Sequence, residues 1–195
     1  MVRALSLAAA LVFSMGAVAS AADLEIGDKA PNFKGIPAAD GKTYSLDSFK
    51  DAKVVVVVFT CNTCPVAVAY EDRMIEFAQK YKDKGVVMIA INQKGSEDIE
   101  AVKKRAEEKG FPFPYCYEAS QDTARAFGAR VTPHFYVLDQ DRTVQYKGAF
   151  DDSGDAPKTP YLANAVDALL AGKKPEKAVT KEFGCGIGLK KVATK

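Results

Sequence analysis

Two cysteines separated by two residues, Cys61 and Cys64, are the side chains of this chain best suited to chemistry. At that spacing two sulfurs can close into a disulfide and reopen without moving the rest of a fold. Immediately before them stands an uninterrupted apolar run, VVVVVF at residues 54–59. A run of that length without polar alternation suits a strand covered on both faces. After them Tyr70, Met74, Phe77 and Tyr81 recur every three or four residues, the period of an amphipathic helix. The order is therefore buried strand, Cys-x-x-Cys, helix. Peptide dipoles at a helix N-terminus favour a thiolate, and the thiolate is the nucleophile of disulfide exchange. Cys61, nearer the loop, is expected to be the more exposed and to attack first, with Cys64 resolving the mixed disulfide. Pro65 disfavours a helical Cys64 but suits the first helical position, so the regular helix is expected from about Pro65 onward.

Other reactive side chains are scattered along the chain. Cys116 lies between Tyr115 and Tyr117 and reads as an inert core thiol. Cys185 sits among Gly184, Gly186 and Gly188, which let the backbone bend close to another group. Pairing with Cys116, docking on the Cys61–Cys64 site, linking two chains, or no redox part at all are open for it. Glu71 and Asp72 are candidates for a base, although a solvated helix face is the expected reading. Asp151, Asp152 and Asp155 lack the spacing and the bidentate Glu of a calcium loop, so a solvated acidic loop is expected there. His134 is the single histidine, and one imidazole with two thiolates would suit copper or zinc in almost any fold. A histidine opening a strand is more often structural, so no metal and no cofactor is assigned.

Further strands are expected at residues 86–91, in the segment FPFPYCYE, at residues 134–138, and as an antiparallel partner at residues 144–147. A helix capped by Ser96 carries Ile99, Val102 and Ala106 and stops at Gly110. One or two helical turns fit residues 120–128, and a last helix carries Leu162, Val166, Leu169 and Leu170. Strand, helix, strand, helix implies a right-handed crossover and parallel pairing. Pro133 would damage the middle of a sheet, so a cis proline in a tight turn entering the strand is expected. An N-terminal hairpin is expected to cover one end of the core.

The chain opens with Arg3, an apolar segment over residues 4–18, and small residues that fit a signal-peptidase site. This reads as a secretory leader at residues 1–21, whose loss leaves 195 − 21 = 174 residues. One domain at residues 22–172 and a basic tail at 173–195 carrying Cys185 account for that length. An exported, periplasmic or secreted protein without stable membrane insertion is expected. The formal charge is +2, or +1 without Arg3, which argues against nucleic-acid binding and membrane-surface docking. Four cysteines are too few for a disulfide scaffold.

Cys-x-x-Cys on a strand-to-helix turn, with Thr132-Pro133 leading into a later strand, resembles the thioredoxin fold. More narrowly the chain resembles the secreted redoxins, peroxiredoxin-like members of the thioredoxin family. The carrying segments are APNF, TCNTCP, YEDR, VTPHFYVLD, GAFDD and GCGI, spread over the whole chain after residue 21. The resemblance implies an α/β, thioredoxin-like fold, a central mixed β-sheet flanked by helices, with an N-terminal extension. It implies a cis Pro133 beside the two cysteines and Thr132 offering its backbone to an extended substrate. Three departures stand out. Thioredoxins carry a buried Asp where this chain has Val55; peroxiredoxins carry a Thr where it has Cys61 and a Pro where it has Val57; and Pro133 occupies the expected position of the peroxiredoxin Arg. A thiol–disulfide oxidoreductase is thus the leading expectation, with a disulfide- or thiol-bearing protein substrate and a thiol electron donor as partners. A thiol peroxidase resolved by Cys185, and a copper-chaperone-like protein using His134, are the alternatives.

Overall fold

The computed structural model describes residues 23–154 and 156–190. The leader expected at residues 1–21 and the acidic-loop residue Asp155 lie outside the described residues. The N-terminal hairpin is present as an antiparallel pair, β1 (Ile36–Pro37) and β2 (Thr43–Tyr44), followed by a 3-10 turn at Leu46–Phe49. Five consecutive β-branched valines then favour extended backbone, and strand β3 (Val54–Thr60) is buried at every position.

Alternation along β3 sends its side chains to two faces. Val55, Val57 and Phe59 join one core layer with Leu46, Phe49 and Phe127. Val54, Val56 and Val58 join the other with Met74, Phe77, Val102 and Leu162. Helix α1 (Pro65–Tyr81) supplies the Met74–Phe77 face of that second layer. Strand β4 (Val86–Asn92), helix α2 (Ile99–Lys109) and strand β5 (Tyr115–Tyr117) follow. The cap of α2 is Asp98, whose carboxylate accepts the Ala101 N–H at 2.8 Å, and not Ser96. Asp98 directly precedes the first helical residue, where a side-chain oxygen reaches the free N–H groups.

Helix α3 (Asp122–Phe127), the short strand β6 (Val131–Thr132), β7 (His134–Leu138), β8 (Val144–Gly148) and α4 (Tyr161–Leu170) complete the order. The five-stranded sheet runs β5-β4-β3-β7-β8, with β3, β4 and β5 parallel and β7 and β8 antiparallel. This mixed sheet with helices on its faces is the thioredoxin-like architecture. Among the described residues no helix is long and apolar enough to cross a membrane.

The segment after α4 is not a free tail. Lys147 N–H donates to Ala178 O at 2.9 Å and Thr180 N–H returns to Lys147 O at 3.1 Å. The chain then crosses to β6, where β9 (Cys185–Gly186) pairs antiparallel with Val131 and Thr132.

Candidate functional site

Strand β3 ends at Thr60 and delivers Cys61 to the edge of the sheet. Cys64 is the N-cap of α1 in extended backbone, φ −82° and ψ 116°, and Pro65 takes the first helical position. The pre-proline preference and the helix start are thereby both satisfied. The Cys64 Sγ accepts the Ala67 N–H at 3.4 Å, as a capping oxygen would. The Thr132–Pro133 peptide is cis, as the sequence reading expected. Thr132 meets both sulfurs: Cys61 Sγ lies 3.4 Å from its Oγ1, and Cys64 Sγ lies 3.2 Å from its carbonyl oxygen. Both thiols are buried, and exposure barely separates them. Cys61 is 3% exposed and Cys64 2%, because Thr132 and the strand β9 cover both. Cys185, half-buried, packs against this pair.

The dipeptide between the cysteines is held by a residue that sequence reading did not single out. The Glu97 carboxylate accepts the Asn62 N–H at 3.0 Å, the Thr63 N–H at 3.2 Å and the Thr63 hydroxyl at 2.8 Å. Asn92 Nδ2 donates to it at 2.7 Å, and the Tyr115 hydroxyl donates to Asn62 Oδ1 at 2.5 Å. Asn62 and Thr63 are thus chosen for a buried carboxylate behind the loop. Glu97→Ala strips two backbone N–H groups of their acceptor, at about 1–3 kcal/mol for each group left dry. Thr63 is exposed and water replaces part of that loss. A net destabilisation of about 2 kcal/mol is expected, read as a lower urea midpoint of the reduced protein.

Electrostatics separate Cys64 from Cys185 and Cys116. Burial works against a Cys64 thiolate, but hydrogen bonds from Cys185, the Ala67 N–H and Thr132 outweigh it and bring the group below its ordinary value. The same hydrogen bond to Cys64, then burial, pushes Cys185 upward. One proton is therefore best kept on Cys185 and directed at the Cys64 sulfur. Cys116 lies in the core layer, where burial and then the Asp40 charge push its thiol up to about 12. It has the environment of an inert residue.

Two expectations about carboxylates are corrected. Glu71 is buried, not solvated, and takes a bidentate grip from Arg105 at 2.9 and 2.5 Å. Asp72 is exposed and pairs with Lys109 at 2.6 Å. Asp151 is buried as well, accepting the Tyr70 hydroxyl at 2.5 Å and pairing with Arg73. Asp152 stays at the surface, capping the Lys158 and Thr159 N–H groups at 2.8 and 3.0 Å. His134 packs tilted against the Tyr136 ring, centroids 4.5 Å apart, and burial lowers its pKa to about 4, so the ring is neutral near pH 7. Among the described residues no three His, Cys, Asp or Glu side chains are grouped to hold a metal ion.

The Redoxin family profile matches residues 25–166. No curated protein matches the sequence. Among solved structures, an uncharacterized conserved protein from Geobacillus kaustophilus is 34% identical with a TM-score of 0.81, over 87% of this chain and 95% of that one. A hypothetical protein from Sinorhizobium meliloti is also 34% identical, with a TM-score of 0.79, over 85% of this chain and 95% of that one. The thioredoxin domain of a thiol-disulfide oxidoreductase from Bacteroides vulgatus is 22% identical with a TM-score of 0.56, over 63% of this chain and 86% of that one. That last likeness concerns the fold.

Proposed function

The chain belongs to the Redoxin family, whose chemistry is thiol redox, and on that premise we propose that it is an exported thiol–disulfide oxidoreductase working through a Cys61–Cys64 couple. Cys61 attacks one sulfur of a substrate disulfide, forms a mixed disulfide and expels the other substrate sulfur as a thiolate. Cys64 then attacks the Cys61 sulfur, closes the Cys61–Cys64 bond and releases the second substrate thiolate. Two electrons pass to the substrate, and a thiol donor returns the protein to the dithiol. Thr132 and Pro133 form the surface against which the substrate is held.

The observation that carries this reading is the convergence of both sulfurs on Thr132, at 3.4 and 3.2 Å, where a strand ends and a helix starts. The lowered Cys64 pKa supports it too. A resolving thiol that gives up its proton readily needs no buried carboxylate, and Val55 supplies none. Export rests on the leader read in the sequence.

The test is a titration of the purified protein against glutathione and dithiothreitol buffers. A single reversible two-electron couple is expected. A potential near roughly −270 mV would make the protein a reductant, and one near roughly −120 mV an oxidant. Absence of any reversible couple would end the oxidoreductase reading. Fast peroxide consumption with a thiol donor would move the assignment to a peroxidase.

A further inference from the structure

Cys185 reaches the site by a route that has nothing to do with the Cys-x-x-Cys turn. Antiparallel pairing sets Cys185 opposite Thr132 and Gly186 opposite Val131. Gly184 packs so tightly that a Cβ there would lie 2.0 Å from the Thr132 carbonyl oxygen, and its φ of +153° is one that side-chain-bearing residues rarely adopt. The strand is pinned on both sides. Downstream, Ile187 is buried in the core layer under β3 and its N–H donates to Arg130 O at 2.9 Å. The buried Gln121 amide bonds Gln93 O and the Lys190 N–H, each at 2.8 Å. Upstream, the Thr180 hydroxyl meets the Tyr146 hydroxyl at 2.6 Å and the Ala149 N–H at 3.0 Å.

Such anchoring fixes a half-buried thiol against Cys64 and fills the backbone edge of Thr132 with a strand of the protein itself. We infer that Cys185 is a third redox thiol that takes over the disulfide from the Cys61–Cys64 pair, and that β9 stands in the place of a substrate strand. This rests on the oxidoreductase reading above. In the step, the Cys185 thiolate attacks Cys64 Sγ of the Cys61–Cys64 disulfide. The Cys64–Cys185 bond forms, the Cys61–Cys64 bond breaks, and Cys61 leaves as a thiolate that takes up the proton lost by Cys185. No net oxidation occurs; the disulfide migrates. The more accessible sulfur of the new bond, on Cys185, is the one a thiol donor can reach. While oxidised, β9 is locked over Thr132 and a further disulfide substrate is shut out; reduction leaves β9 held only by non-covalent contacts, which a substrate strand can displace.

The test maps disulfides in the full chain after limited diamide oxidation, by mass spectrometry of non-reduced peptides. Monomeric wild-type protein is expected to yield both Cys61–Cys64 and Cys64–Cys185 linkages. Cys61→Ser treated with oxidised glutathione is expected to form Cys64–Cys185 and release glutathione. Adding Gly184→Ala, which pushes β9 off Thr132, to Cys61→Ser is expected to slow that release by about 10²-fold, while Gly184→Ala alone still forms the Cys61–Cys64 linkage. In Cys185→Ala, which removes the hydrogen bond to the Cys64 sulfur, the alkylation of Cys64 is expected to need higher pH. A lasting Cys64–glutathione adduct beside a free Cys185, or dimers joined through Cys185, would overturn the inference. So would wild-type protein giving Cys61–Cys64 alone with a normal reversible couple, and that result would leave the oxidoreductase reading standing. Loss of the couple itself would instead remove the reading on which the inference rests.

Discussion

Cys61→Ser is expected to lower the rate of disulfide reduction by roughly 10³-fold or more, measured as thiol release from a disulfide-bearing peptide with dithiothreitol as donor. A serine hydroxyl does not ionise near neutral pH and is a poor nucleophile toward sulfur. The replacement is nearly isosteric, and its hydroxyl can bond the Thr132 Oγ1 that the Cys61 sulfur now meets. Loss of turnover would therefore report chemistry and not unfolding, and a unchanged thermal midpoint checks this. Cys64→Ser is expected to halt one step later, with substrate held on Cys61 as a mixed disulfide. The two variants together assign the roles. If Cys61→Ser turned over at the wild-type rate while Cys64→Ser captured nothing, the attacking sulfur would be Cys64, the one whose charge the Ala67 N–H and Cys185 support.

Local order governs how much of this was legible in the sequence. The valine run, the proline after Cys64 and the Thr132-Pro133 pair act within a few residues, and the strand end, helix start and cis peptide follow from them. Glu97 was missed because it lies 35 residues from Asn62 in sequence, and a lone Glu before a helix looks like any solvated charge. Its signal was indirect: Asn62 and Thr63 are both rich in donors, and two adjacent donors entering a buried turn call for an acceptor. Glu71 and Asp151 were misread for the same reason. Each is a carboxylate whose partner, Arg105 or Tyr70, lies 34 or 81 residues away. Charge patterning along one helix sees neither. The docking of the chain around Cys185 depends on Gly184 and Ile187 meeting Thr132 and Arg130, a pairing that no periodicity announces.

Arg105→Ala is expected to destabilise the protein by about 3 kcal/mol, near the low end for breaking a buried pair. Glu71 is 5% exposed in its side chain, and Arg105 satisfies both of its oxygens from α2. Removing the guanidinium leaves a desolvated carboxylate on α1 with Lys109, at 3.8 Å, as the nearest remaining cation. That lysine also serves Asp72, so it compensates in part. The expected loss is roughly a hundredfold in the folding equilibrium, measured as a lower urea midpoint with an unchanged slope. Replacing both partners, Glu71→Leu with Arg105→Met, is expected to recover most of it, since two apolar groups of similar size carry no desolvation cost. The pair ties α1 to α2 one and a half to two turns beyond Cys64, just as Asp151 ties Tyr70 and Arg73 of the same helix to the loop after β8. Both clamps fix the helix whose first turn caps the Cys64 sulfur. If they act through stability alone, folded Arg105→Ala keeps the wild-type redox potential. A shifted potential in the folded variant, restored by Arg105→Lys, would make Arg105 a positioning residue for the thiol pair.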